Sequence, residues 1–183
     1  MRIAIDLDGV CYEWQRTYRY MMREYRGVDM PPIEDFWYDW DAPDKYTSEA
    51  DREWLWTEGV RLGLFRYGHV TTGAIVGLRA LIDRGHDLLV VTHRPSVAVP
   101  DTLAWLSYIN IPWSEIHILS RGESKAQVDA KVLVDDKPAN IYDWNEKNPS
   151  RRAIIYNRPW NKQCLAGFRA YDWRMVVQWV DKI

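Results

Sequence analysis

Four stretches of this chain carry groups that bind cations or anions at or just past the end of an apolar run. "IAIDLDGV" (3–10) sets Asp6 and Asp8 one residue apart, and "LLVVTHRP" (88–95) ends in Thr92 and His93. "SRGESKAQ" (120–127) carries Lys125, and "VLVDDKPANI" (132–141) carries Asp135, Asp136 and Lys137. If the first strand continued, Asp6 and Asp8 would project to the same side, where two like charges repel and need compensation. Three or four carboxylates are tolerable in one crevice around a cation, and with no His or Cys cluster the donors favour a hard ion such as Mg²⁺. A metal so held, with a lysine and a hydroxyl beside it, matches a tetrahedral dianion, which points to phosphate. Each group also has a plainer use: Asp8-Gly9 as a hairpin turn, Asp135-Asp136 as a helix cap, Thr92 as a strand residue, Lys125 as a solvated lysine. Their joint placement makes the plain uses improbable.

The elements that must bring these groups together are legible as alternating patterns. Short β-rich runs at 2–6, 87–92, 116–119, 131–135 and 153–156 are nearly continuous in apolar character, as buried parallel strands are. Helical periodicity lies between or after them: at 73–85, stopping at Gly85; at 100–109, with Pro100 near its start; and after Asp172, a plausible cap, with Trp173, Val176, Val177 and Val180 on one face. Such alternation predicts an α/β fold, a Rossmann-like doubly wound parallel sheet of about five strands with helices on both faces. Ligands of such sheets bind beyond the carboxyl ends of the strands, which is where all four stretches fall.

One connection is too long for a compact βα unit, since about eighty residues separate the first two strands. It opens with an amphipathic helix (Trp14, Tyr18, Met21, Met22, Tyr25), passes through a Pro-containing stretch, and shows a second helical piece near 48–62. That first helix leaves no returning strand after Gly9, which weakens the hairpin. The division expected is a core of residues 1–11 and 73–183 with a small helical cap, residues 12–72. The cap is dense in aromatics, with rings for its own core and for a planar ligand; Tyr18, Tyr25, Trp54 and Trp56 read as core.

Composition excludes several classes. A formal charge of -2 and a pI near 6.1 give no global attraction to nucleic acid or membrane, so any anion is held locally. No apolar segment approaches a membrane span and the first residues lack a signal-peptide pattern, so a cytoplasmic protein is expected. Cys11 and Cys164 show no metal-ligand spacing and suit a reducing compartment. Exposed aromatics are compatible with a homodimer.

"DLDGV", the run ending in Thr92, Lys125 and "VDD" resemble, in order, the four motifs of the haloacid-dehalogenase superfamily of phosphotransferases. Within it the chain most resembles the 5'(3')-deoxyribonucleotidase family, through "GLFRYGHVTTGAIVGLRAL", "LVDDKPANI", "YNRPWN" and the closing "YDWRMVVQWV". His93 stands where that family commonly has a small residue. The resemblance implies a Mg²⁺-dependent phosphatase hydrolysing (deoxy)ribonucleoside monophosphates through an aspartyl-phosphate: Asp6 as nucleophile and Asp8 as general acid and base. It implies metal held by Asp6, the backbone carbonyl of Asp8, and Asp135, with Asp136 behind Asp135 or in its place. Thr92, His93 and Lys125 would hold phosphate, and Trp14, Phe36, Trp37, Phe65 and Lys137 would contact base or sugar. An aromatic cap favours a mononucleotide over a polymer, which needs an open basic channel. The alternatives are a 3'-phosphatase acting on nucleic-acid ends and a non-catalytic nucleotide-binding module.

Overall fold

The computed structural model describes residues 1–30 and 46–183. Its strands are β1 (Arg2–Ile5), β2 (Asp87–His93), β3 (Glu115–Leu119), β4 (Val132–Asp135), β5 (Arg152–Tyr156) and β6 (Phe168–Ala170). All pair in parallel in one sheet, ordered β3-β2-β1-β4-β5-β6. The doubly wound α/β sheet is therefore as expected, with one strand more than the apolar runs indicate. β6 is three residues long with Arg169 at its centre, so neither length nor alternation marks it. It exists through pairing with β5, Ile154 opposite Phe168 and Tyr156 opposite Ala170.

Alternate strand residues bury on opposite faces. Ile3, Ile5, Leu88, Val90, Val132 and Val134 share one core with α3 (Ala74–Asp83), α4 (Val99–Ile109) and α6 (Trp173–Val180). Ala4, Leu89, Val91, Leu133 and Ile155 share the other with Ile141 and Trp144 of α5 (Pro138–Lys147). The expected punctuation holds: Asp172 caps α6 by accepting the N–H of Met175 at 2.8 Å, and Gly85 follows α3 in the left-handed region. From β1 the chain first builds outward to β2 and β3, then crosses to lay β4 on β1's other side. This switch point puts the carboxyl ends of β2, β1 and β4 side by side and leaves a crevice between diverging connections.

The long connection after β1 contains α1 (Trp14–Arg26) and α2 (Glu49–Trp54), which runs on as a π-helical turn over Leu55–Gly59. Its two ends are stitched together: Glu13 N–H donates to the His69 carbonyl (2.9 Å), Thr71 N–H donates to the Cys11 carbonyl (2.7 Å), and Tyr12 bridges Val70 antiparallel. An insert so closed at its base costs the sheet nothing in register. Its apolar side chains, among them Trp14, Tyr18, Met22, Leu55 and Leu64, join the core cluster that contains Ile3 and Ile5. Tyr25, expected in that core, is exposed, as Trp56 partly is. Tyr25 continues the buried stripe of α1 by one further turn, where among the described residues its ring meets Trp54 (centroids 5.7 Å apart). Among the described residues no helix is long and apolar enough to cross a membrane.

Asp51 ties the insert's two helices together. Its carboxylate accepts the amide and hydroxyl of Ser48 (3.0 and 2.7 Å) at the start of α2 and the Arg26 Nε of α1 (2.8 Å). The Ser48 hydrogen bonds and then Arg26 hold its pKa down to about 2. A carboxyl so depressed stabilises the fold above its ordinary titration range and loses that effect as pH falls from about 4 toward 2. Asp51→Asn is expected to lower stability by about 1 kcal/mol at neutral pH. In urea titrations the gap to the wild type should close as the pH approaches 2; a gap independent of pH would contradict this.

Candidate active site

Asp6 lies one residue past β1, its backbone N–H still bonded to the Val134 carbonyl (3.0 Å). Its Oδ1 receives the Leu7 N–H (2.8 Å) and the Lys125 ammonium (2.9 Å). Among the described residues no donor reaches Oδ2, which leaves that oxygen to the cavity that Asp6 lines. Beyond it the Leu7 carbonyl accepts the N–H groups of Val10, Cys11 and Tyr12, while Gly9 N–H returns to the Tyr12 carbonyl. Asp8-Gly9 does turn the chain, but into a compact loop feeding α1 rather than a two-stranded hairpin.

Lys125 opens a short 3₁₀ turn, Lys125–Gln127, in which the Ala126 N–H donates to the Ser124 hydroxyl (3.2 Å). Its ammonium bridges Asp6 Oδ1 and Asp135 Oδ2 (2.7 Å). Burial works against this charge, but the carboxylates of Asp135 and Asp6 outweigh it and hold the lysine above its ordinary pKa. Asp135, at the end of β4, accepts three donors: the Lys137 N–H (2.8 Å) on Oδ1, Lys125 and the Asn140 amide (3.0 Å) on Oδ2. It does not line the cavity; Asp136 does. Of the expected pair it is thus Asp136 that meets the cavity, while Asp135 holds Lys125 and the start of α5.

Carboxylate oxygens of Asp6, Asp135 and Asp136 all lie within 4.8 Å of one another, and all three groups are buried. Burial, followed by repulsion from Asp135 and Asp6, pushes Asp136 well above the usual carboxylate range. One lysine among three carboxylates leaves a negative excess that a divalent cation neutralises, and an all-oxygen set suits Mg²⁺. The residues present therefore fit the expected ion. Asp8 is not part of this cluster: its carboxylate faces Arg94, with Nε to Oδ2 at 2.9 Å and Nη2 to Oδ1 at 2.6 Å.

Of the other expected residues, Thr92 near the end of β2 lines the cavity, and its hydroxyl is buried with no partner. His93 lines it too, with Nε2 2.8 Å from the Glu123 carbonyl. Trp14, the first residue of α1, stacks on Tyr18 (centroids 5.0 Å apart) at the cavity wall, which Lys137 also lines. Phe65 does not line it: the ring packs behind the Arg94 guanidinium, 4.7 Å from Cζ, a correction to its expected place at the base. Phe36 and Trp37 lie outside the described residues.

Five contributors were not expected. Gln15 lines the cavity with its amide oxygen buried and unpartnered, and Arg94 follows His93. The other three come from "YNRPWN": Arg158 donates to the Gly9 carbonyl (2.6 Å) and pairs with Glu13, Trp160 Nε1 donates to Asp136 Oδ2 (2.8 Å), and Asn161 donates to the Asp136 carbonyl (2.7 Å). That polar string after a strand was the available signal. Gly9, held by Arg158, has φ +83°, and a Cβ there would stand 2.3 Å from Asp136 Oδ2. Gly9→Ala must displace the Asp136 carboxylate, so it is expected to weaken Mg²⁺ binding by about 10-fold or more in titration calorimetry. Unchanged affinity would show that Asp136 is not a ligand.

Comparison with known proteins agrees with this geometry. The family model for 5' nucleotidase, deoxy (pyrimidine), cytosolic type C protein matches residues 1–182. A Chlorobaculum tepidum protein named "Putative 5'(3')-deoxyribonucleotidase" is 28% identical over 149 residues, 76% of this chain and 71% of that one. Among solved structures, a predicted phosphatase of Clostridium acetobutylicum superposes with TM-score 0.64 at 14% identity, covering 100% of this chain and 98% of the other. A haloacid-dehalogenase-superfamily hydrolase of Geobacter sulfurreducens gives TM-score 0.62 at 16% identity over 98% and 95%. The chain has the fold of haloacid-dehalogenase-like hydrolases, and it belongs to the cytosolic type C 5' nucleotidase family, phosphatases that act on phosphoric monoesters.

Proposed function

We propose that this enzyme hydrolyses (deoxy)ribonucleoside monophosphates to nucleoside and phosphate, with Mg²⁺ and through a phosphoryl group carried on Asp6. One observation carries the reading: Asp6, whose Oδ2 meets no donor among the described residues, lines the same cavity as the buried Thr92 hydroxyl, which has no partner among them either, while the Lys125 ammonium holds Asp6 Oδ1 at 2.9 Å. A hydroxyl and an ammonium converging beside a carboxylate nucleophile are what a bound phosphoryl group requires and what a structural carboxylate does not.

In the first step Asp6 Oδ2 bonds to phosphorus as the bond to the nucleoside oxygen breaks, and Asp8 gives that oxygen its proton. In the second, Asp8 as carboxylate takes a proton from water; the water oxygen bonds to phosphorus and the bond to Asp6 breaks. Phosphate leaves, Asp6 is again a carboxylate and Asp8 again protonated. Burial, the largest influence on Asp8, raises its pKa against the lowering effect of Arg94, in the direction an acid requires. Thr92 and Lys125 hold phosphoryl oxygens and His93 closes the same side. Asp6 and Asp136, with the backbone carbonyl of Asp8, would hold Mg²⁺, which when bound neutralises phosphoryl charge.

The insert, residues 12–72, acts as the helical cap. Trp14 offers its ring to the base, while Gln15 and Lys137 offer polar contacts to base or sugar; Phe36 and Trp37 are further rings for the base. A cavity walled by α1 on one side and by Trp160 on the other accepts a mononucleotide as a small-molecule substrate and disfavours a strand.

Phosphate release measured across ribo- and deoxyribonucleoside monophosphates, with a phosphorylated oligonucleotide alongside, tests this. Turnover of mononucleotides is expected to fall to background in Asp6→Asn or on chelation of Mg²⁺, and by about 10²–10⁴-fold in Asp8→Asn. Preference for the oligonucleotide, or activity surviving Asp6→Asn, would overturn it.

A further inference from the structure

Arg94 has a fully buried side chain, and every face of its guanidinium is occupied. Nε and Nη2 form the fork on Asp8, and Nη1 donates to the Thr102 hydroxyl of α4 (3.1 Å), whose own proton goes to the Ala98 carbonyl (2.8 Å). The rings of Tyr12 and Phe65 lie 4.8 and 4.7 Å from Cζ, an attraction that a cation gains from each ring face. Tyr12 is itself pinned, donating to the Leu64 carbonyl and accepting the Gly68 N–H (2.8 Å). The guanidinium therefore has one available orientation, set by two residues of the insert and one of α4.

Asp8 has no comparable support. It sits in the loop past β1, beyond the sheet's hydrogen bonds, and among the described residues Arg94 is the one hydrogen-bond partner of its carboxylate. That carboxylate stands outside the group of Asp6, Asp135 and Asp136, and Asp8 lines the same cavity as Asp6 and Asp136.

We propose that Arg94 is a positioning residue that aims Asp8 at the leaving-group oxygen. The inference rests on Asp8 acting as the general acid. A bidentate arginine suits the task because its planar fork fixes both oxygens at once, which a lysine does not. It also explains why His93-Arg94-Pro95 follows Thr92 directly: one strand end supplies both a phosphate ligand and the clamp on the acid.

A merely structural ion pair would affect all substrates alike, whereas a misaimed acid matters most when the leaving group needs a proton. The test measures kcat and KM of the Mg²⁺-loaded enzyme on thymidine 5'-monophosphate and on p-nitrophenyl phosphate, whose leaving group departs unprotonated. Arg94→Gln is expected to lower kcat/KM, which reports the first step alone, at least about tenfold more on the nucleotide than on p-nitrophenyl phosphate; loss of the shared second step lowers kcat on both. Combined with Asp8→Asn it should cost no more than Asp8→Asn alone. Thr102→Val, which removes one anchor and keeps the shape, should show the same selectivity in weaker form if Arg94→Gln does not fold. Equal loss on both substrates in the Arg94 and Thr102 variants, beside a selective loss in Asp8→Asn, overturns the inference. Equal loss in Asp8→Asn itself overturns the acid assignment, and the role of Arg94 with it.

Discussion

Three buried carboxylates within 4.8 Å of one another, neutralised among their immediate neighbours by a single lysine, are the constraint around which this molecule is arranged. Such a concentration of like charge costs more than any one hydrogen bond returns, and burial raises the cost by removing water. The sheet makes it possible because its switch point sets the ends of β1 and β4 side by side, with Lys125 arriving from the loop after β3. What remains uncompensated is a demand for a cation and, on the cavity, the buried Thr92 hydroxyl, a donor suited to an anion.

The surrounding loops are held to tolerances that this charge sets. Gly9 approaches the Asp136 carboxylate more closely than any residue with a Cβ can. Arg158, from the far side of β5, grips the Gly9 carbonyl and Glu13, and so fixes both the post-β1 loop and the start of α1. Trp160 and Asn161 from the same loop hold Asp136 at its carboxylate and its backbone. The insert is thereby fastened to the core beside the carboxylate cluster, and the helix that carries Trp14 begins eight residues after Asp6.

Much of this was legible in the residues alone, for reasons specific to each part. Buried parallel strands are continuous apolar runs, so β1 to β5 announced themselves; β6, three residues around Arg169, is defined by its neighbour and leaves no local trace. Acidic pairs, a threonine and a lysine at strand ends are visible because burying them is improbable without a use. Which of Asp135 and Asp136 meets the cavity was not visible, because it depends on which carboxylate Lys125, Asn140 and the Lys137 N–H hold. Arg94, Arg158 and Trp160 act across 86, 149 and 24 residues of sequence, and no spacing rule connects them to Asp8, Gly9 and Asp136. Phe65 shows the converse: an aromatic in the right segment that serves a guanidinium instead of a ligand.

The central claim is that Asp6 receives the phosphoryl group beside a cation shared with Asp136. A crystal structure of the enzyme with Mg²⁺ and beryllium fluoride, a mimic of a phosphorylated aspartate, addresses it directly. The expected result is beryllium bonded to Asp6, its fluorines against the Thr92 hydroxyl and the Lys125 ammonium, and Mg²⁺ ligated by Asp6 and Asp136. A bare Asp6 with the adduct elsewhere, or Mg²⁺ ligated by Asp135 in place of Asp136, would contradict it.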